Sequence, residues 1–272
     1  MTRILHVSDL HFGWPAVLEQ IDAIEAAIQR DEFDVVAVSG DFSQRARAGE
    51  FQRAAVFLRE ARKRVPVITV AGNHDVAWWY APLGAGNKAR VYEKYRKYIS
   101  QDLEPTLEVP GVYFVGINTA HGVTRRTLTP NPRDISILGD VTPAQLVDVR
   151  RKLERAPAGD ARVIVMHHNP VAGQLSQRYG LKHTPRILST FGAMGVELVL
   201  CGHDHEEAVN YVEHTRKGVI VSTAGTVSNR SRGGRPSSYN VISVETRSIT
   251  VTTRVWNGEG DFVPGKERCF DR

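Results

Sequence analysis

One sequence feature constrains the fold of this chain more than any other. Five times, a short apolar run is followed directly by polar side chains that can bind metal ions. Short apolar runs rich in β-branched residues are typical of buried strands. In open α/β sheets, the carboxyl ends of parallel strands meet at one edge, so the five polar segments are predicted to form one site. The segments are Asp9-Leu-His11, Gly40-Asp41, Gly72-Asn-His-Asp75, His167-His-Asn-Pro170 and Gly202-His-Asp-His205.

Helical patterns separate the first strands. One amphipathic stretch begins at Pro15, and a second covers residues 50–64. Strands that alternate with helices predict right-handed crossovers and a largely parallel sheet, so the fold class is α/β. We expect a single domain over residues 1–272, with a helical insertion at about 78–106 and mostly antiparallel strands from about residue 206.

Composition limits the class of protein. The 272 residues are 42% hydrophobic and 24% charged, which is ordinary for a globular chain. A formal charge of +5 suits an anionic substrate but is too small to indicate a polyanion binder. Two cysteines argue against a disulfide framework, and the N-terminal apolar run ends too early for a membrane span. We expect a soluble cytoplasmic protein whose oligomeric state is open, a dimer being compatible.

Each polar segment also has an ordinary structural explanation when it is considered alone. Gly40-Asp41 and Gly72-Asn73 are both typical of turns, and a single histidine at a strand end is more often structural than a ligand. The occurrence of five such segments, each at the end of a predicted strand, is difficult to explain by coincidence. Imidazole, carboxylate and amide ligands together suit Mn²⁺, Fe²⁺/Fe³⁺ or Zn²⁺, and the set is too large for one ion.

The joint pattern resembles the calcineurin-like metallophosphoesterases, whose motifs are D-x-H, G-D, G-N-H-D/E, H and G-H-x-H. All five motifs are present here in order, and the chain looks most like the bacterial cyclic-nucleotide phosphodiesterase-type (class III) members. The resemblance implies a four-layer α/β/β/α sandwich of two mixed sheets packed face to face. It also implies that one metal ion is held by Asp9, His11 and His205, the other by Asn73, His167 and His203, and that Asp41 bridges them.

Two residues of the third segment are predicted to be catalytic. The family pattern leaves His74 out of the ligand set, so we expect it to donate a proton to the leaving alkoxide, as histidine commonly does near neutral pH. Asp75 is expected to orient that imidazole, with a helix N-cap as the alternative. His168 is predicted to be structural, because neighbouring residues of an extended chain point to opposite sides.

Substrate contacts are predicted at three positions. Asn118 and His121 follow another predicted strand, and Arg230 lies in a cationic loop. The chain's other candidate phosphate contacts, since guanidinium groups match phosphate geometry, are Arg125, Arg126, Arg232 and Arg235. The aromatic residues Trp78, Trp79 and Tyr80 are expected either to stack on a base or to pack within the fold.

The predicted function is hydrolysis of a phosphodiester by a metal-bridging hydroxide, on a small substrate such as a 3',5'-cyclic nucleotide. The alternatives with the same metal core are a nuclease, a phosphomonoesterase, and a hydrolase of nucleotide or glycerol phosphodiesters. Nucleic acid is therefore an open but disfavoured partner. A non-catalytic scaffold is a further alternative, disfavoured because every ligand and His74 are present.

Overall fold

The computed structural model describes residues 1–129, 131, 134–213 and 218–272. Within these ranges, twelve strands form two mixed six-stranded sheets. The first sheet has the order β12 (Phe262–Asp271), β11 (Ser248–Trp256), β10 (Ser238–Val244), β1 (Thr2–Val7), β2 (Val35–Val38), β3 (Val67–Thr69). The second has the order β4 (Thr106–Val109), β5 (Val112–Gly116), β6 (Ala161–Val165), β7 (Leu198–Cys201), β9 (Val219–Thr223), β8 (Ala208–Val212).

Six α-helices lie in the described part of the chain. They are α1 (Leu18–Arg30), α2 (Ala48–Arg62), α3 (Lys88–Val91), α4 (Glu93–Tyr98), α5 (Pro143–Leu153) and α6 (Thr184–Ala193). The start of α5 shows how the sequence sets a helix boundary. The Thr142 hydroxyl accepts a hydrogen bond from the Gln145 N–H, and the Gln145 side chain accepts one from the Thr142 N–H. None of the helices in the described ranges has the length and apolar character needed to cross a bilayer.

The strands pair as the alternating pattern predicts in the first half of the chain. Strands β1, β2 and β3 are parallel, and so are β5, β6 and β7. In the last part, β10, β11 and β12 are antiparallel neighbours and β8 pairs antiparallel with β9. Strand β9 departs from the antiparallel expectation, because it runs parallel to β7.

Alternation along the strands separates three apolar cores. In β1, Leu5 and Val7 pack against helices α1, α2 and α4, whereas Ile4 lies between the two sheets. In β5, Phe114 lies between the sheets and Val115 packs against α5 and α6. Because successive side chains of a strand point to opposite faces, one apolar strand can serve two cores. The four-layer α/β/β/α sandwich implied by the resemblance is confirmed.

Candidate metal centre

The carboxyl ends of five parallel strands bring the seven predicted ligands together. Asp9 and His11 follow β1, Asp41 follows β2 and Asn73 follows β3, while His167 follows β6 and the pair His203 and His205 follows β7. Each of the two sheets therefore contributes to one cluster. The side chains of Asp9, His11 and His167 are fully buried, so water does not compete for their polar atoms.

A first group of donor atoms comes from Asp9, His11 and His205. The Nε2 atom of His205 lies 3.1 Å from Asp9 Oδ1 and 3.0 Å from His11 Nε2. The other ring nitrogen of His205, Nδ1, lies 3.1 Å from the carbonyl oxygen of Arg230, so it must be the protonated donor. The Nε2 lone pair of His205 consequently faces its two neighbours.

A second group comes from Asn73, His167 and His203. Asn73 Oδ1 lies 3.0 Å from both His167 Nε2 and His203 Nδ1, and these two nitrogens are 3.3 Å apart. The Nδ1 atom of His167 donates a hydrogen bond to the carbonyl oxygen of Ser39, 2.8 Å away. In the neutral ring, Nε2 therefore presents a lone pair to the amide oxygen of Asn73.

The carboxylate of Asp41 lies between the two groups. Its Oδ2 atom is 3.7 Å from His11 Nε2, in the first group, and 3.4 Å from His167 Nε2, in the second. Its Oδ1 atom accepts a hydrogen bond of 2.9 Å from the main-chain N–H of His74. One carboxylate thus faces both groups at once.

The arrangement of these donor atoms is suited to binding cations and not to hydrogen bonding among the side chains themselves. In both groups, lone pairs of oxygen and nitrogen atoms point together without enough hydrogen atoms to link them. Asp9 Oδ1 is buried and has no hydrogen-bond partner among the described residues. Buried polar atoms of this kind require a partner that the protein itself does not provide, and a metal ion would provide it. The cluster is able to bind metal ions of the borderline class.

The ionisation of the cluster agrees with this fit. Burial alone would raise the pKa values of Asp9 and Asp41, but the neighbouring imidazoles hold both below their usual range. Burial lowers the pKa of His203 to about 3 and that of His11 to about 4. For His167, burial is outweighed by Asp41, which raises its pKa to about 9. Anionic carboxylates and neutral imidazoles are the forms that bind metal ions, so a bound ion would have to displace the proton that Asp41 favours on His167.

The backbone at the cluster is held in an uncommon conformation. Five of the seven predicted ligands have left-handed φ values between 45° and 74°, and they are Asp9, His11, Asp41, His203 and His205. Such residues are sparsely populated outside glycine, and they concentrate where the surrounding structure enforces a functional geometry. Two glycines permit the close approach of the segments, because a Cβ at Gly72 would overlap Asp41 and one at Gly202 would overlap Ser8.

His74 lies beside the cluster but outside both groups of donor atoms. Its Nδ1 atom is 2.7 Å from the carbonyl oxygen of Gln44, and its Nε2 atom is 3.2 Å from Nη1 of Arg230. The same Nη1 donates to the Gln44 side-chain oxygen at 3.0 Å. The sequence pattern did not indicate Gln44, since its contact with His74 uses a main-chain carbonyl that every residue has. Arg230 therefore lies beside His74, and its contact with a substrate stays a prediction.

The structure corrects the expectation for Asp75, which does not contact the His74 ring. Its buried carboxylate accepts hydrogen bonds from the N–H groups of Gly72, Phe42 and Ser43 and from the Ser43 hydroxyl. Burial, together with the charge of Asp41, raises the pKa of Asp75 to about 7. Asp75 is also not an N-cap, because it is the last residue of a 3-10 turn, Asn73–Asp75. It joins the loop after β2 to the loop after β3.

His168 also differs from expectation in its direction. Its ring centroid lies 4.5 Å from that of His203, and its Nδ1 atom is 2.7 Å from the hydroxyl oxygen of Thr119. Alternation does not separate it from His167, because β6 ends at Val165 and the chain beyond is no longer extended. Donor atoms of His167, His168 and His203 lie within 4.8 Å of one another.

Asn118 and His121 lie away from the metal cluster, which corrects their predicted placement. Both line a separate cavity of about 470 Å³ together with Glu104 and Gln145. The side-chain amide of Asn118 donates to the hydroxyl of Tyr92, 3.0 Å away. The next residue, Thr119, contacts His168 instead. The strand direction was predicted correctly, but the side of the chain that faces the cluster was not.

Most of the other candidate arginines are already paired. Arg126 pairs with Asp140, Arg232 with Asp204 and Arg235 with Glu206, and Arg125 lines a cavity apart from the cluster.

The cleft over the cluster has two lobes. We name them the tryptophan lobe, about 670 Å³ and lined by Trp78 and Trp79, and the tyrosine lobe, about 460 Å³ and lined by Tyr179 and His203. Both lobes are lined by Asn73, His74, Ile137 and Arg230.

Comparison with known proteins gives one family and several similar structures. A family model described as calcineurin-like phosphoesterase matches residues 2–207. No curated protein matches the chain. A purple acid phosphatase from yellow lupin (Lupinus luteus) seeds has a TM-score of 0.71 at 12% identity, over 100% of this chain and 54% of that chain. This chain therefore spans about half the length of the lupin enzyme.

Two further structures are similar in fold. PhoD has a TM-score of 0.68 at 12% identity, over 99% of this chain and 69% of that chain. An anchor protein of the inner membrane complex of Plasmodium has a TM-score of 0.60 at 12% identity, over 99% and 88%. At this level of identity the likeness concerns the fold, which different proteins use for different functions.

Proposed function

The chain belongs to the calcineurin-like phosphoesterase family, and from this premise we propose that it is a two-metal phosphodiesterase that acts on a small substrate. A phosphoester hydrolase is the activity that the family supports. The observation that carries the proposal is the position of Asp41, whose Oδ2 atom faces His11 in one donor group and His167 in the other. A carboxylate so placed is suited to bridge two ions.

The proposed ligands are the seven side chains predicted from the sequence. Asp9, His11 and His205 would hold one ion, Asn73, His167 and His203 the other, and Asp41 both. Two such ions, when bound, supply positive charge that binds phosphate oxygens and lowers the pKa of water. Hydrogen bonds to the carbonyls of Ser39 and Arg230 orient the rings of His167 and His205, so that their Nε2 atoms would be free to bind the ions.

His74 is the proposed proton donor. The Gln44 carbonyl holds its Nδ1–H, so in the doubly protonated ring the Nε2–H group faces the cleft, where it would give its proton to the leaving oxygen and leave a neutral imidazole. Arg230 lies 3.2 Å from this Nε2 atom, where its guanidinium can bind a substrate phosphate oxygen. An alkoxide leaves poorly without a proton, so this step suits a phosphoester whose leaving group is an alcohol.

The size and charge of the cleft favour a small substrate such as a 3',5'-cyclic nucleotide. Cavities of about 460 and 670 Å³ are in the range for small-molecule sites. The formal charge of +5 is low for a protein that binds long nucleic acids. Manganese, iron and zinc are the proposed metals, and a cytoplasmic location and a dimer stay predictions from the sequence.

Substrate profiling of metal-reloaded protein tests the proposal. The protein is stripped with a chelator, reloaded with Mn²⁺, and assayed on bis-p-nitrophenyl phosphate, p-nitrophenyl phosphate, cyclic AMP and single-stranded DNA. We expect Mn²⁺-dependent hydrolysis of the diesters, lost in Asp41→Asn and kept in the exposed control Asp22→Asn. Cleavage of DNA alone would contradict the small-substrate proposal. An inert protein with both ions bound would favour the scaffold alternative.

A further inference from the structure

The tryptophan lobe has an aromatic wall that begins close to His74. Trp78 and Trp79 occupy the first two positions of a 3-10 turn, Trp78–Tyr80, that follows the turn carrying His74. Their rings meet edge to face, with centroids 6.2 Å apart and planes at 75°. Trp79 is 48% exposed, so indole surface is open to the cleft.

The same lobe has an aliphatic wall from a distant part of the sequence. Ile135 and Ile137 line the cavity with the two tryptophans and are 43% and 40% exposed. Exposed large apolar side chains that gather in one cavity indicate a site for an apolar partner. A flat ring placed between an indole and a branched aliphatic side chain can bury both of its faces.

The charge of the tryptophan lobe indicates which class of ligand it would bind. Among the described residues that line it, none is a carboxylate, whereas Arg45, Arg47 and Arg230 all contribute. In the described part of the chain, Arg45 and Arg47 are exposed and their guanidinium groups pair with no acidic side chain. The tyrosine lobe differs, because it contains Asp134 and Asp204. An anionic compound is therefore favoured in the tryptophan lobe over a cation.

We propose that the tryptophan lobe is a subsite for the planar heteroaromatic ring of an anionic substrate, such as a nucleobase, with Trp79 as the main stacking residue. The inference rests on the proposed function, since it places the substrate phosphate at the metal cluster. The lobe is lined by Asn73 and His74 as well as by both tryptophans, so one cavity joins the metal cluster to the aromatic wall. Stacking on an aromatic side chain is tolerant of the identity of the base.

Equilibrium binding to the Mn²⁺-loaded protein tests the subsite without requiring turnover. The probes are 5'-AMP and ribose 5-phosphate, which share a phosphate and a sugar and differ in the base, titrated under conditions where neither is hydrolysed. We expect 5'-AMP to bind about tenfold more tightly than ribose 5-phosphate, which is the range for stacking of one base. In Trp79→Ala this preference is lost, while the affinity for ribose 5-phosphate is unchanged.

Three further proteins make the test specific. Trp79→Phe keeps an aromatic face and should keep most of the preference, whereas Ile135→Ala removes part of the aliphatic wall and should reduce the preference. Trp14→Ala is the matched control, because Trp14 is 89% exposed and does not line the lobe. Thermal unfolding of each variant checks that it is folded.

The results separate the subsite from the proposed function. Equal affinity of the wild-type protein for both probes, or an equal loss for both in Trp79→Ala, would overturn the subsite even if diesters are hydrolysed. Tighter binding of octyl phosphate than of 5'-AMP would identify an alkyl-chain site and overturn it as well. A base preference that depends on Trp79 in a protein without hydrolytic activity would support the subsite and contradict the proposed function.

Discussion

The Nδ1 atom of His74 lies 2.7 Å from the main-chain carbonyl oxygen of Gln44. A carbonyl oxygen only accepts hydrogen bonds, so the Nδ1 atom of this ring must carry a proton and Nε2 is left to face the cleft. The orienting group is thus part of the backbone, and no side-chain substitution at residue 44 removes it. Because this contact involves no metal ligand, the catalytic role of His74 can be tested without changing the residues that would bind metal.

Substitution of His74 should lower kcat and leave the metal content unchanged. We expect His74→Ala to reduce kcat for a diester with an alkoxide leaving group, such as cyclic AMP, by about 10²- to 10⁴-fold, the usual contribution of a general acid. Metal analysis should find the wild-type amount, because the ring is in neither donor group. Gln44→Ala keeps the carbonyl and should lose much less activity. An unchanged kcat in His74→Ala would remove the residue from the proposed mechanism.

Asp75→Asn should reduce stability. The carboxylate is buried and accepts bonds from three main-chain N–H groups and one hydroxyl, and an amide would turn an N–H group toward some of these donors. The free energy of unfolding should fall by about 1–3 kcal/mol, as for a buried polar group that loses its partner. Urea denaturation measures the change, with Asp22→Asn as the surface control. Wild-type stability combined with lost activity would restore a direct catalytic role for Asp75.

Metal removal should destabilise the fold. The donor atoms of the cluster meet without hydrogen atoms between them, and Asp9 and Asp41 are buried anions. A bound ion stabilises the folded state by about 2.7 kcal/mol at a concentration one hundred times Kd. We expect the Tm of chelated protein to rise with added Mn²⁺, and the Tm of Asp41→Asn to respond much less. A wild-type Tm that is independent of Mn²⁺ would contradict the proposed centre.

Stability should fall as the solution becomes acidic, partly because of His6. Burial lowers the pKa of His6 from 6.5 to about 3, although Asp9 opposes the shift. Between these values the unfolded chain binds a proton that the folded chain does not, so the free energy of unfolding decreases as pH falls. One such group contributes up to about 1.4 kcal/mol per pH unit.

The variant His6→Gln isolates this contribution. Its amide can keep a contact with the Ser39 hydroxyl, which lies 3.0 Å from His6 Nε2, but it does not titrate. Urea denaturation of both proteins between pH 7.5 and pH 4.5 should show a shallower pH dependence for the variant. Parallel curves would show that His6 is not the group responsible.

Much of the fold and of the candidate site could be predicted from local patterns. Apolar strands followed by polar segments indicated where β1, β2 and β3 end, and helical spacing indicated α1 and α2. The second sheet was different. It followed from the family resemblance, because a sequence shows that a strand is buried on both sides but not which layer covers each side.

Side-chain direction at the strand ends could not be predicted in the same way. Alternation predicted that His168 would point away from His167, and it did not indicate that Thr119 rather than Asn118 contacts His168. Alternation holds only in extended chain, and several of the segments leave it. Asp9 and Asp41, for example, have φ values of 56° and 55°.

The sequence by itself determined the chemical types of the ligands and their order at strand ends, because these depend on residue identity and on short-range periodicity. Only the tertiary structure decided what orients them. The carbonyls of Ser39 and Gln44 hold His167 and His74, and the Arg230 guanidinium reaches Gln44, 186 positions away in the chain. Main-chain carbonyls are common to all residues, and such distant contacts depend on the packing of two sheets. Neither feature can therefore be recognised in the local sequence pattern.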